Sequence, residues 1–111
     1  SHKPHNLKAI IDDEELNEDL RVQLSQIFFF LGITYRSLAN YEEAIQSYQN
    51  AIQLNHFFSD CYFNLGNIYY EQSDFTKADL CYKSSLEALE EDRLYGDTNN
   101  VSEVEKELAK I

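Results

Sequence analysis

Any chemistry this chain performs has to come from three histidines, two cysteines and a large excess of carboxylates. His2, His5 and His56 fall in terminal or linker positions, and no motif places a Ser, Cys or carboxylate beside one of them. Neither a nucleophile with its base nor an acid–base pair can be assembled from that inventory. His2-Lys3-Pro4-His5 holds two imidazoles close together, but a polar terminus beginning Ser-His reads as a tail or an expression remnant rather than a metal site. Gly32, Gly66 and Gly96 form no loop that could cradle phosphate. Cys61 and Cys81 are too few for a disulfide scaffold and read as reduced packing residues. The expectation is a protein that is not an enzyme and needs no metal or cofactor.

Binding remains. Twenty acidic against nine basic residues give a net charge of −11, which repels nucleic-acid phosphates and anionic lipid and favours basic partners. No run of about 18 apolar residues is present to span a membrane. SHKPHNLK lacks the apolar stretch of a signal peptide, so the reading is a soluble, cytoplasmic protein with no nucleic-acid or membrane partner. Asp12, Asp13, Glu14, Glu15, Glu18 and Asp19 crowd one expected helix start. There they act as a solvated, cap-stabilising face or as a dock for a Lys/Arg-rich segment.

The elements that would position a binding face come from an internal repeat of 34 residues, from about 25 to 58 and again from 59 to 92. Phe28 returns as Tyr62, Leu31 as Leu65, Gly32 as Gly66, Tyr35 as Tyr69, Tyr41 as Phe75, Ala44 as Ala78, Tyr48 as Tyr82 and Ala51 as Ser85. Within each copy the apolar spacing is helical and falls into two stripes, broken at Ala39-Asn40 and Ser73-Asp74. Each copy is therefore a helical hairpin. Gly in mid-helix costs about 1 kcal/mol relative to Ala, so Gly32 and Gly66 imply a close helix crossing. Ala44 and Ala78 are expected to meet the glycine face, and Tyr48 and Tyr82 to fill the space between neighbouring hairpins.

This pattern resembles the tetratricopeptide repeat family: aromatic, Leu-Gly and Tyr in a first helix, Ala, aromatic and Ala in a second, and Pro near the end. The run from Tyr62 to Gln72, followed by Asp74-Phe75, is close to an idealised first helix and turn of that family. The departures are His56 and Glu90 where Pro is usual, and Ser85 where Ala is usual. The resemblance implies an all-α fold of stacked antiparallel hairpins, an α-solenoid that binds peptides on a concave face lined by the first helix of each repeat.

Carried over position by position, the family's groove places fall at Phe29, Phe30, Ile33, Arg36 and Ser37 in the first copy. In the second they fall at Phe63, Asn64, Asn67, Tyr70 and Glu71. Phe29, Phe30 and Ile33 would form an apolar pocket, with Asn64, Asn67 and Arg36 orienting a ligand backbone. Such an apolar patch needs a cover, either Leu7–Ile11, a second copy of the chain, or an apolar helix of a partner. The subfamily that clamps the C-terminal carboxylates of heat-shock chaperones matches only at Asn64. Its remaining places fall at Phe29, Ile33, Leu94 and Thr98, which cannot pair with a carboxylate.

Around the repeats, residues 1–11 read as a flexible tail and 12–111 as the domain. A capping box of Asp12 and Glu15 would start a helix running to Leu38, about 39 Å long, unless a separate short helix ends near Arg21. Tyr95–Asn100 reads as a loop, and Ser102 with Glu105 caps a final helix over about 101–111 that acts as a lid. The resulting expectation is a protein–protein interaction module, serving as adaptor, scaffold or co-chaperone. The alternative is a homodimer, or a packing segment of a longer repeat protein.

Overall fold

The computed structural model describes residues 7–11, 13 and 16–95. They form α1 (Leu7–Ile11), α2 (Glu18–Ser37), α3 (Tyr41–Leu54), α4 (Ser59–Glu71) and α5 (Phe75–Tyr95), with no strand among the described residues. The expected capping helix over 101–111 lies outside them. Antiparallel α2 and α3 form one hairpin, α4 and α5 the next, and α3 packs against α4 to stack the two. Leu7–Ile11, expected to belong to a tail, forms α1, which packs on α3 and puts Ile11 in the core.

The start of α2 differs from expectation. Its N-cap is Asn17, whose Oδ1 accepts a hydrogen bond from the Leu20 N–H at 2.8 Å, so the helix begins six residues after Asp12. A helix carried through Asp12–Asp19 would stack Glu14 on Glu18 and Glu15 on Asp19, like charges four apart that destabilise a helix. Starting at Asn17 leaves only Glu18 and Asp19 in the first turn, where they face the positive end of the helix dipole. From there α2 is continuous through Arg21 for about 30 Å.

Both hairpin turns close in the same way. Ala39 and Ser73, 34 residues apart, adopt left-handed backbone with φ of 60° and 62°. The N–H of Ala39 donates to Arg36 O and that of Asn40 to Tyr35 O, both at 2.9 Å; Ser73 and Asp74 repeat the pattern on Tyr70 and Tyr69. These paired bonds satisfy the last carbonyls of α2 and α4 and reverse the chain. Asp74 then caps α5 by accepting from the Lys77 N–H at 3.2 Å.

The repeated glycines are explained by tyrosine. A Cβ placed on Gly32 would come within 3.0 Å of three ring carbons of Tyr48, and one on Gly66 would meet Tyr82 at 2.8 Å. Each tyrosine thus lies over the glycine of its own hairpin, a contact the sequence pattern had not assigned to it. The flat ring needs the missing Cβ to approach the α2 backbone, and Tyr48 is 1% exposed as a result. The hairpins are joined by Cys61, whose thiol donates to Tyr48 O at 3.3 Å, and by the Phe29 ring, 4.8 Å from that of Phe58.

Where the family usually has Pro, the two copies behave differently. At His56, α3 has already ended at Leu54, because the Asn55 side chain accepts from the Phe57 N–H at 3.1 Å and closes a local turn. The residue in register with Asn55 is Leu89, which has no such acceptor. α5 therefore runs past Glu90 to Tyr95 and reaches 21 residues against 14 in α3.

Candidate functional site

The helices expected to line a binding face, α2 and α4, run in the same sense and meet directly through the ion pair of Arg36 with Glu71. Arg36 was expected to orient a ligand and Glu71 to line the groove, and here they hold each other across the hairpin boundary. The pair is exposed at both ends, so it fixes register more than it adds stability.

Phe29 and Phe30 bring their rings within 5.9 Å of each other, but Phe29, Phe30 and Ile33 are not equally open. Phe29 is half-buried, its ring 6.0 Å from that of Tyr48 as well as against Phe58, so it belongs to the junction between hairpins. Phe30 and Ile33 stand outward at 63% and 39% exposure. α1 lies against α3 and leaves both uncovered.

On α4, Phe63 is 52% exposed and rests its ring 5.7 Å from Tyr82. Tyr70 is 58% exposed and meets Phe75 edge-on at 5.2 Å. Asn67 Oδ1 accepts from the Tyr82 hydroxyl at 2.7 Å, which fixes the amide and leaves its NH2 group for a further partner. Half-buried Asn64, one turn earlier, makes no side-chain hydrogen bond among the described residues and so has both donor and acceptor capacity left. Phe30, Ile33, Phe63, Asn64, Asn67 and Tyr70 thus supply an apolar and amide-bearing surface on the two first helices.

The remaining reactive groups are structural. Burial pushes the Cys61 thiol up to about 12, with Asp60 and Cys81 adding to the shift, and Cys81 is raised by burial as well. Both are free thiols held protonated. Burial likewise raises Tyr48, Tyr62 and Tyr69. His56 is exposed in the α3–α4 turn, while His2 and His5 lie outside the described residues. No cluster of potential metal ligands occurs among the described residues, and no helix there is long and apolar enough to cross a membrane.

Two features escaped the sequence reading. One is the set of exposed leucines on α5, Leu80, Leu86, Leu89 and Leu94. Leu86 is in register with Ile52, which packs against the core from α3, so the repeat itself held the signal. The other is a cavity of about 880 Å³ beside the α3–α4 turn, walled by α2 and α5. It arises from the overrun of α5 past Leu89.

Comparison with known proteins agrees with this architecture. The family model described as TPR repeat matches residues 32–87. Human tetratricopeptide repeat protein 6 is 28% identical over 74 residues, 66% of this chain and 14% of its own length. A rice protein (Oryza sativa subsp. japonica) named as a probable UDP-N-acetylglucosamine–peptide N-acetylglucosaminyltransferase, SPINDLY, is 38% identical over 58 residues, 51% of this chain and 6% of its own. Among solved structures, MamA aligns with a TM-score of 0.63 and 25% identity, covering 79% of this chain and 52% of that one. The chain therefore spans a small part of the two curated relatives and about half of the structural one.

Proposed function

We propose, from the premise that the chain belongs to the tetratricopeptide repeat family, that it binds a helical or extended peptide of a partner protein on the face formed by α2 and α4. Repeats of this family mediate protein–protein interaction in general. The observation that carries the finer reading is the exposed set Phe30, Ile33, Phe63 and Tyr70 alongside the amides of Asn64 and Asn67. The apolar side chains supply affinity by leaving water, each worth about 1.5–3 kcal/mol if fully buried. Asn67, its carbonyl occupied by Tyr82, donates to a peptide carbonyl, whereas Asn64 both donates and accepts. Arg36 and Glu71 hold the two helices in register beneath the ligand and offer their exposed edges to it.

In this reading the protein is not an enzyme and works as a cytoplasmic adaptor, scaffold or co-chaperone. The likeness to a glycosyltransferase covers 58 residues, 6% of that relative. The test is a peptide selected on the intact chain and titrated calorimetrically. Asn64→Ala weakens it about five- to tenfold with helix content unchanged. Equal affinity removes Asn64 from the site.

A second reading is favoured by the leucines of α5: that face packs against a further helix, from a second copy or from more repeats of a longer chain. Light scattering over a dilution series separates the two sources, since a dimer dissociates on dilution and a fragment stays monomeric.

A further inference from the structure

The two longest helices, α2 and α5, both overhang the turn between α3 and α4, and the space between the overhangs is a cavity of about 880 Å³. Its apolar surface includes Val22 from α2, Phe57 from the turn and Leu89 from α5, all exposed. Its charged groups are Glu18, Asp60 and Asp92, one from each wall and one from the start of α4. Among the described residues, none of these carboxylates is ion-paired and no lysine or arginine lines the space. The nearest arginines in sequence are committed elsewhere, Arg21 to the Asp13 carbonyl at 2.8 Å and Arg93 to Glu90 at 2.6 Å. His56, from the α3–α4 turn, also lines the cavity.

We propose that this cavity is a second binding site, distinct from the α2–α4 face, for a segment of a partner protein that carries lysine or arginine next to apolar side chains. Three unneutralised carboxylates around an apolar floor favour a cation whose stem or neighbours are apolar, and the net charge of −11 draws such a segment in. The volume lies within the range of about 300–1,000 Å³ that ligand pockets occupy, room for two or three side chains. An acidic segment meets only repulsion here, and a purely apolar one leaves the carboxylates without a partner.

The probe is a synthetic amphipathic helix of leucine and lysine, titrated into the full chain with backbone amide resonances recorded. Shifts concentrated on Phe57–Asp60 and Leu89 are expected. Glu18→Lys with Asp92→Lys weakens binding about tenfold, while the same charge change at Glu42→Lys with Glu43→Lys, on exposed positions of α3, costs about twofold. Leu89→Ser, at a side chain too exposed to matter for folding, costs about threefold, as does replacing the peptide leucines by serine. Equal losses in the two double variants reduce the effect to bulk charge and overturn the proposal. It is likewise overturned by absence of binding at millimolar peptide, by shifts confined to Phe30, Asn64 and Tyr70, or by cavity shifts that follow protein concentration without peptide. Shifts confined to Phe30, Asn64 and Tyr70 leave the α2–α4 site standing.

Discussion

The two hairpins share one frame and differ where they meet their surroundings. Both lay a tyrosine over a glycine and both turn on a residue at φ near +60°. Yet the first helix shows Phe30 and Ile33 where the second shows Asn64 and Asn67. In the first hairpin Ser25 bonds back to Val22 of its own helix at 2.6 Å, opposite Ala51. In the second, the register mates Ser59 and Ser85 donate to each other's backbone carbonyls at 3.0 and 2.9 Å, tying α4 to α5. The glycine–tyrosine contact and the turn are thus held constant, whereas the inner face varies from apolar to amide, as expected if that face is read by a ligand with an apolar and a polar end.

The largest expected effect sets the two glycines against each other. Gly32→Ala drives a methyl into the fully buried ring of Tyr48 and destabilises by about 2 kcal/mol despite the helix-propensity gain. Gly66→Ala meets the half-buried and more yielding Tyr82, and costs about 1 kcal/mol. Urea unfolding of both variants checks the order; a reversal breaks the link between the burial of each tyrosine and the cost of the added methyl.

Next comes pH. Cys61 has its folded value raised to about 12, so the folded protein keeps a proton that the unfolded chain releases above about 9. Its contribution is complete below pH 9 and lost as pH rises towards 12, at about 1.4 kcal/mol per pH unit. Cys61→Ala removes that slope, while the residual decline belongs to Cys81 and the buried tyrosines. A stability flat from pH 8.5 to 10.5 contradicts the burial of this thiol between the hairpins.

Ser85→Ala converts the second hairpin to the pattern of the first and costs about 1 kcal/mol, because Ser59 keeps its bond to the backbone at 85. The smallest effects are gains. Ala39→Gly and Ser73→Gly each relieve a left-handed residue and stabilise by about 0.5–1 kcal/mol, equally if the turns are equivalent. Thermal melts of the pair measure that equality.

The frame was legible because period and residue size encode it: two apolar stripes per 34 residues specify hairpins before any coordinate is known. The start of α2 was not, since acidic residues from 12 to 19 offer several caps and only the bond from Leu20 to Asn17 selects one. Nor was the fate of Phe29, because a few tens of degrees of helix rotation decide whether a groove position opens outward or turns in on Tyr48 and Phe58. Arg36 and Glu71 carry charge suited to a ligand, and their mutual pairing depends on how the hairpins stack. The overhang of α5 was legible in retrospect from one register pair, Asn55 against Leu89.

The central claim, that the α2–α4 face takes a partner peptide, is tested most directly by mapping backbone amide shifts as a selected peptide is added to the chain. The largest changes are expected at Phe30, Ile33, Phe63, Asn64, Asn67 and Tyr70. Changes confined to Leu80, Leu86, Leu89 and Leu94 on α5, with that face silent, would contradict it.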